Sequence, residues 1–249
     1  GNRDRSDQPN GRNINLDCGS LHMETLQQRV TESGADLGVA FDGDADRALF
    51  VDEKGSLING DVVLLAVGRH LADRDRLPGR LVVTTVMANM GLEKALAEAG
   101  IRMSRTQVGD KYVLEEMLRS GAALGGEQSG HIIFSDFAST GDGLLTARMM
   151  IDLLATSGQP LSDLASELRV FPQVLKNIRV TAKTPFDEVP ALRDAVSAAE
   201  KELGGRGRVL VRYSGTEPLV RIMVEAEEEG FVERQVSQLT EVFQRELGE

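Results

Sequence analysis

Three aspartates stand at alternating positions in a short, glycine-containing turn of the sequence. Asp42, Asp44 and Asp46 fall within a segment that reads D-G-D-A-D-R, and in a tight turn alternate side chains can converge on one point. Clustered carboxylates repel one another unless a cation lies among them. Hard oxygen ligands favour Mg²⁺, Mn²⁺ or Ca²⁺ over zinc, which prefers histidine and cysteine. The turn is therefore predicted to be a divalent-metal site.

Two other interpretations of the acidic turn are open. An EF-hand calcium loop shares the D-x-D-x-D start, and Glu53 stands at its twelfth position. However, that loop needs glycine at its sixth position, which is Arg47, and the flanking runs look like strands rather than helices. A solvated acidic hairpin without a metal is the second alternative. Arg47 beside three aspartates, between apolar runs, favours the metal site.

A segment near the C-terminus carries the groups of an oxyanion-binding loop. It combines two arginines, two hydroxyls, a glycine that lets the backbone approach closely, and a proline that restricts the turn. An ordinary hairpin with surface arginines is the alternative. The candidate ligands of this phosphate loop are Arg212, Ser214, Gly215, Thr216 and Arg221.

A glycine-rich segment, 125–131, places a carboxylate, a hydroxyl and an imidazole close together. Glu127, Ser129 and His131 offer the mixed donors and acceptors that sugar hydroxyls need. The segment is not the nucleophile elbow of hydrolases, because Glu127 occupies the position where that motif needs glycine. A lone histidine such as His131 is more often structural. Lys111, which follows Gly109 at the start of a predicted helix, would by pattern alone be a solvated first-turn cation.

The elements that position these residues follow an α/β pattern. Runs at 36–41 and 48–51 predict strands on either side of the acidic turn, and 13–17 predicts a further short strand before a helix over 22–31. From residue 61 onward, helices and strands alternate, which predicts a mostly parallel sheet. The helix predicted over 142–154 is apolar on most faces and is expected to be well buried.

The dipeptide Phe171-Pro172 interrupts the α/β pattern and predicts a domain boundary. Beyond it, strands and helices follow one another as a C-terminal α+β module. The predicted organisation is α/β, in three domains over residues 1–56, 57–170 and 171–249.

Composition and charge restrict the function. The 249 residues are 41% hydrophobic and 27% charged, and no apolar stretch of about 20 residues occurs, so the chain is expected to be soluble and not to enter a membrane. With 28 basic and 39 acidic residues, the formal charge is 28 − 39 = −11, which disfavours nucleic-acid binding. A single cysteine, Cys18, favours the reducing cytoplasm.

Four of these motifs together resemble the α-D-phosphohexomutases. The matching segments are A-D-L-G-V-A-F-D-G-D-A-D-R over 35–47, G-D-K-Y-V over 109–113, G-G-E-Q-S-G-H over 125–131, and R-Y-S-G-T-E-P over 212–218. The resemblance implies mixed α/β sheet domains of the phosphohexomutase type followed by a C-terminal α+β domain. It also implies Mg²⁺ held by Asp42, Asp44 and Asp46, with a phosphoserine on another domain as a further ligand.

The resemblance assigns roles to the remaining residues. Arg47 would lie near the transferred phosphoryl group, His131 beside the reacting phosphate, and Lys111 would stabilise charge there. Glu127 and Ser129 would bind hydroxyls of the sugar ring. The non-reacting phosphate of the substrate would be bound by Arg212, Ser214, Gly215, Thr216 and Arg221.

Within the family, segments 35–47 and 125–131 are most similar to the branch that interconverts glucosamine 6-phosphate and glucosamine 1-phosphate for cell-wall precursors. The branches acting on mannose or glucose phosphates are the alternative. In the family, the phosphoserine lies in a Thr-x-Ser-His-Asn-Pro motif. No serine in this chain is followed directly by a histidine, so that motif has no counterpart here. The resemblance therefore implies a fragment that lacks the first domain and the front of the second, and that is expected to be inactive alone.

Two further classes of function stay open from the sequence. The chain could be a non-catalytic module that binds a hexosamine phosphate and Mg²⁺, or a calcium-stabilised interaction domain. A sheet edge left by the missing domain could also pair with a second copy, which would give a homo-oligomer.

Overall fold

The computed structural model describes residues 10–215 and 217–248. The chain divides into two compact units, one ending at Arg169 and the other beginning at Val170. The predicted boundary between residues 56 and 57 lies inside the first unit, and the three predicted domains stay a prediction. The part of the chain that is described contains no helix both long and apolar enough to cross a membrane.

The first unit consists of two sheets and six helices within its described residues. Its elements are α1 (Glu24–Ser33), β1 (Leu37–Phe41), β2 (Ala48–Asp52), β3 (Leu57–Ile58), α2 (Gly60–Ala72), β4 (Leu81–Thr85), α3 (Met90–Glu98), β5 (Arg102–Thr106), α4 (Asp110–Ser120), β6 (Leu124–Gly126), β7 (Ile132–Phe134), α5 (Gly143–Ser157) and α6 (Leu161–Ser166).

The smaller sheet holds the acidic turn between two paired strands. Strands β1, β2 and β3 are antiparallel neighbours in that order. The register runs from Leu37 opposite Asp52 to Phe41 opposite Ala48, so residues 42–47 are the connection between β1 and β2. The predicted strand–turn–strand arrangement is confirmed, and the flanks of the turn are strands rather than the helices of an EF-hand.

The larger sheet has the strand order β5-β4-β6-β7. Strand β4 pairs in parallel with β5 and β6, while β7 runs antiparallel to β6. Most residues of α2 are buried in the main core, and every residue of β4 is buried because that strand lies between this core and a second apolar cluster formed with α4. The predicted mixed α/β fold class is thus confirmed, and helix α2 begins at an Asn59 cap whose side chain accepts bonds from two backbone N–H groups.

Two expectations about local structure in the first unit are wrong. Residues 13–17 form turns rather than a strand: Asn15 and Asp17 have φ values of 59° and 53°, a left-handed conformation that Asn and Asp adopt more readily than other side chains. Helix α5 is buried on one face only, since Leu144 and Ile151 are 64% and 50% exposed. Apolar residues on most faces of a helix therefore did not predict burial there.

The second unit is a three-stranded antiparallel sheet with two helices. It contains β8 (Gln173–Arg179), α7 (Pro190–Leu203), β9 (Gly207–Tyr213), β10 (Leu219–Ala226) and α8 (Glu229–Leu247), with strand order β8-β10-β9. Alternate residues of β10, from Val220 to Ala226, pack with the two helices in one apolar core. This period of two explains why the C-terminal α+β module could be predicted from the sequence.

Candidate active site

The acidic turn brings its three carboxylates together. One oxygen each of Asp42, Asp44 and Asp46 lies within 4.8 Å of the others. The turn closes on itself because Ala45 adopts a φ of 59° and its N–H donates to the Asp42 carbonyl at 3.2 Å. The Arg47 N–H donates to Asp42 Oδ1 at 3.2 Å. The backbone of the turn therefore brings the three carboxylates close together.

The electrostatics of this cluster fit a bound cation. Burial, a hydrogen bond with Asp42 and the negative charge of Asp42 raise the pKa of Asp46 above its usual value, and His131 offsets this only partly. Asp46 Oδ1 is buried and has no hydrogen-bond partner among the described residues. Arg47 Nε lies 3.6 Å from Asp42 Oδ2 and 3.8 Å from Asp46 Oδ1, too far for a hydrogen bond. A divalent ion would satisfy the oxygen that Arg47 does not reach.

The glycine-rich segment lies directly against the acidic turn. Arg47 and His131 form an isolated antiparallel bridge, and the Ala48 N–H donates to the Gly130 carbonyl at 3.1 Å. The His131 side chain is only 3% exposed, and its Nε2 lies 3.5 Å from Asp46 Oδ2. The Gly141 N–H donates to that same Nε2 at 3.2 Å. In the neutral ring this bond makes Nε2 the acceptor, which leaves the ring proton on Nδ1.

Glu127 connects the glycine-rich segment to the start of α4. The Gly109 N–H donates to Glu127 Oε1 at 3.1 Å, and the Glu127 N–H donates to the His131 carbonyl at 2.9 Å. Ser129 is exposed at the tip of the segment. Lys111 is in the first turn of α4, but its side chain is 73% exposed and its Nζ is 3.8 Å from Glu115. The structure thus joins Glu127 to the start of α4 and leaves the Lys111 ammonium in solvent.

A buried anchor for the glycine-rich segment was missed at the sequence level. Asp61, fully buried in the first turn of α2, accepts bonds through Oδ2 from the Asn89 N–H at 2.9 Å and from Gln128 Nε2 at 3.1 Å. The Gly60 N–H donates to the Gln128 carbonyl at 3.0 Å. An acid in the first turn of a helix is common for electrostatic reasons, so the sequence held no signal that separated Asp61 from a solvated residue.

Glu53 lies away from the acidic turn. Its carboxylate accepts from the Ser162 N–H at 3.2 Å and from the Ser162 hydroxyl. Burial alone would raise the pKa of Glu53, but the Ser162 hydrogen bonds outweigh it and hold that pKa below its usual range. With strands on both sides of the turn and Glu53 bound to α6, the EF-hand interpretation is wrong.

Gly143, the first residue of α5, is expected to be intolerant of a side chain. Its N–H donates to the Ala45 carbonyl at 2.9 Å, and an added Cβ would lie 2.7 Å from the Arg47 carbonyl oxygen and 2.8 Å from that of Ala45. Gly143→Ala should therefore push the acidic turn from α5, lower the free energy of unfolding by about 2 kcal/mol and weaken metal binding. Thermal unfolding with and without Mg²⁺ measures both effects.

Gly230 provides the matched control, because it also lies in the first turn of a helix and a Cβ there would meet nothing within 4 Å. Gly230→Ala should leave the free energy of unfolding unchanged or raise it by up to about 1 kcal/mol. Equal melting temperatures for Gly143→Ala and the unsubstituted chain would show that α5 does not constrain the turn.

In the second unit, the predicted phosphate loop joins β9 to β10. Arg212 and Arg221 are directly opposite each other in the antiparallel register. Ser214 is buried, and its Oγ accepts from the Glu217 N–H at 3.3 Å and from Arg221 Nη2 at 3.4 Å. Gly215 is exposed at the turn. Thr216, also predicted as a ligand, lies outside the described residues.

The two arginines of this loop place like charges side by side. Burial, followed by the charge of Arg221, lowers the pKa of Arg212 below its usual range. Glu217 pairs with Arg221 Nη2 at 3.0 Å, but Arg221 Nε is buried without a hydrogen-bond partner in the described part of the chain. Like charges directly opposite across a ladder are destabilising. An anion would relieve this repulsion and supply acceptors for both guanidinium groups.

Family models match three consecutive parts of the chain. The model described as "Phosphoglucomutase/phosphomannomutase, alpha/beta/alpha domain II" matches residues 6–55, and that of domain III matches 59–171. The model of the C-terminal domain of the same family matches 175–242. The three matches cover the acidic turn, the glycine-rich segment and the phosphate loop in that order.

A curated relative and two solved structures are similar over most of the chain. The phosphoglucosamine mutase of Solibacter usitatus is 54% identical over 242 residues, covering 97% of this chain and 54% of the relative. A phosphoglucomutase/phosphomannomutase family protein from Burkholderia thailandensis has a TM-score of 0.74 at 24% identity, covering 91% of this chain and 50% of that one.

The second structure is Aspergillus fumigatus N-acetylphosphoglucosamine mutase in complex with GlcNAc-6P and magnesium, with a TM-score of 0.73 at 21% identity over 92% of this chain and 56% of that one. Both solved structures support the fold. The chain spans about half the length of the curated relatives it matches. Because the three domain models follow one another along nearly the whole chain, and each carries one of the motifs described above, the chain belongs to the phosphoglucomutase/phosphomannomutase family.

Proposed function

We propose that this chain is part of an intramolecular phosphotransferase that interconverts glucosamine 6-phosphate and glucosamine 1-phosphate through a bisphosphate intermediate. The observation that carries the proposal is the acidic cluster with its buried, unpartnered Asp46 oxygen, lying against the glycine-rich segment. The choice of an amino sugar is supported by the 54% identity to the phosphoglucosamine mutase of Solibacter usitatus. The alternatives are activity on mannose or glucose phosphates, or binding of a sugar phosphate without turnover.

Asp42, Asp44 and Asp46 would hold the metal ion, which we propose to be Mg²⁺. Carboxylate oxygens suit this hard cation, and the cluster leaves one buried oxygen for it to satisfy. A bound Mg²⁺ neutralises charge on a phosphoryl group as it is transferred. The magnesium in the Aspergillus fumigatus complex is consistent with this choice.

Three residues near the aspartate cluster would act on the phosphoryl group of the substrate. Arg47, 43% exposed beside the carboxylates, would stabilise the phosphoryl group through a delocalised cation. His131 would lie beside the reacting phosphate, held there by its contacts with the acidic turn. Lys111 would reach the substrate from solvent as a charged residue rather than as a base. These three are the proposed catalytic residues.

Binding of the sugar and of its non-reacting phosphate would fall to two other loops. Glu127 and Ser129 would accept and donate hydrogen bonds to the ring substituents, and the Glu127 carboxylate would favour an ammonium group at the sugar's second carbon. The phosphate-binding residues would be Arg212, Ser214, Gly215, Thr216 and Arg221. We further propose three domains, over 1–56, 57–170 and 171–249, and a cytoplasmic location.

Calorimetric titration of three sugar phosphates into this chain, with and without Mg²⁺, tests the proposal. Glucosamine 6-phosphate should bind at least about tenfold more tightly than glucose 6-phosphate or mannose 6-phosphate, since only it carries a charge complementary to Glu127. We expect no formation of glucosamine 1-phosphate, because the chain has no Ser-His sequence to carry the phosphoryl group.

Each other outcome of the titration has a definite meaning. If mannose 6-phosphate or glucose 6-phosphate bound more tightly than glucosamine 6-phosphate, that ester would become the proposed substrate. Turnover by purified chain would contradict the need for a separate serine. Absence of binding by all three esters would show that these residues alone do not form a sugar-phosphate site.

A further inference from the structure

The segment between β8 and α7 lies along the phosphate loop and is attached to it at several points. The Val180 N–H donates to the Pro218 carbonyl at 3.0 Å. The Tyr213 hydroxyl donates to the Thr184 carbonyl at 2.5 Å, and the Tyr213 ring stacks on Phe186 with centroids 4.5 Å apart. These contacts hold Lys183, which lies between them in the sequence, beside the loop.

Lys183 reaches the loop through its ammonium group. Its Nζ donates to the Ser214 carbonyl at 2.6 Å. An ammonium has three N–H donors, so this single bond leaves others for a further acceptor. Within the described residues, Lys183 forms no ion pair with a carboxylate. Its charge is therefore held at the loop without a counter-ion among those residues.

Ser214 connects Lys183 to the two arginines. Its carbonyl accepts from Lys183, its hydroxyl accepts from Arg221, and Arg221 is opposite Arg212 in the register. Among these groups the only carboxylate paired in the described structure is that of Glu217. Three cations and one anion leave a net charge of +2, which matches a phosphate monoester of about −1.5 to −2 at neutral pH.

We propose that Lys183 is a third cationic ligand of the phosphate loop and binds the phosphate group of a sugar monophosphate directly. This inference rests on the proposed function, since it assigns one more residue to the same site. The bond to Ser214 positions the ammonium, and the remaining donors contact the phosphate oxygens. Binding of the phosphate dianion then depends partly on the charge of Lys183, which lies in the segment between β8 and α7 and outside the R-x-S-G-T-E-P motif.

Titration of glucosamine 6-phosphate into the full chain, compared with three Lys183 variants and two reference variants, tests the inference. Lys183→Met should weaken binding about tenfold, the loss expected for one charge-assisted hydrogen bond. Lys183→Arg should stay within about threefold of the unsubstituted chain. Lys183→Gln keeps a donor for the Ser214 carbonyl but removes the charge, so it should be as weak as Lys183→Met.

Lys201 supplies the control, because it is exposed in the last turn of α7. That helix ends just before β9 begins, and β9 runs seven residues, roughly 20 Å, before it reaches the phosphate loop. Lys201→Met should leave affinity unchanged. The affinity of Lys183→Met should also fall less steeply with added salt than that of the unsubstituted chain, because one ionic contact is gone.

Three results would overturn the inference, and they are distinguishable. Unchanged affinity of Lys183→Met, with Arg212→Met weakened, would reject Lys183 as a ligand while leaving the phosphate loop in place. Full affinity of Lys183→Gln would show that Lys183 only braces the Ser214 carbonyl. An unsubstituted chain that fails to bind glucosamine 6-phosphate would reject both this inference and the proposed phosphate site.

Discussion

Replacing Asp46 with asparagine should weaken Mg²⁺ binding about 100-fold and, at neutral pH, raise the melting temperature of the metal-free chain. The first effect follows from the loss of one of three ligating carboxylates. The second follows because burial, the hydrogen bond with Asp42 and the charge of Asp42 raise the pKa of Asp46. Asparagine removes the charge that the folded, metal-free protein accommodates poorly.

The raised pKa also determines how stability depends on pH. A carboxyl whose pKa is higher in the folded state favours folding below its unfolded pKa of about 3.8, and that contribution is lost as pH rises through the folded value. Metal-free chain should therefore lose this part of its stability as the pH rises above about 3.8, and Asp46→Asn should not. Saturating Mg²⁺ should abolish the difference, because the ion stabilises the ionised form.

Thermal unfolding from pH 4 to 8 with and without Mg²⁺, together with calorimetric titration of Mg²⁺, measures both effects. Asp136, an exposed acid in the turn after β7, provides the control, and Asp136→Asn should change neither metal affinity nor the pH profile. Retention of full Mg²⁺ affinity by Asp46→Asn would reject the acidic turn as the metal site.

Replacing Arg212 with methionine is expected to weaken glucosamine 6-phosphate binding about 100-fold without lowering the stability of the chain. The Arg212 side chain has no hydrogen-bond or ion-pair partner among the described residues, and Arg212 is opposite Arg221 in the ladder. Burial and the Arg221 charge lower its pKa, so the folded protein gains little from this cation unless an anion is bound. Methionine keeps the apolar stem and removes the repulsion.

A loss of affinity without a loss of stability distinguishes a binding residue from a structural one. An arginine that holds the hairpin together would lose stability and affinity in parallel when substituted. Arg206 serves as the matched control, because it precedes β9 at the end of the sheet away from the loop, and Arg206→Met should leave affinity intact. If Arg212→Met bound the sugar phosphate normally, the assignment of the phosphate loop would fail, and a calcium-stabilised interaction domain would be the better description.

Much of the local structure could be predicted because it depends on neighbours in the sequence. The alternating apolar residues of β10, from Val220 to Ala226, all lie in the core of the second unit, as the period of a strand requires. The acidic turn was predictable for the same reason. Its three carboxylates lie within five residues, so a hairpin alone brings them together.

The local hydrophobic pattern did not determine the backbone conformation of residues 13–17 or the burial of helix α5. The chain around Asn15 has the apolar alternation of a strand but turns in left-handed conformations. Helix α5 has apolar residues on several faces, yet the neighbouring elements cover only one of them. In both places the hydrophobic pattern permits more than one structure, and packing elsewhere in the unit selects between them.

What the sequence determined by itself was the set of chemical groups within each loop: the three carboxylates, the glycine-rich segment and the paired arginines. What only the tertiary structure decided was which of these groups meet. Asp61 and Gln128 are 67 residues apart, and Lys183 and Ser214 are 31 apart. Contacts between residues so far apart in the sequence form only when strands and helices pack. Closing a long loop costs entropy, and the packing of the whole core, rather than either residue, offsets that cost.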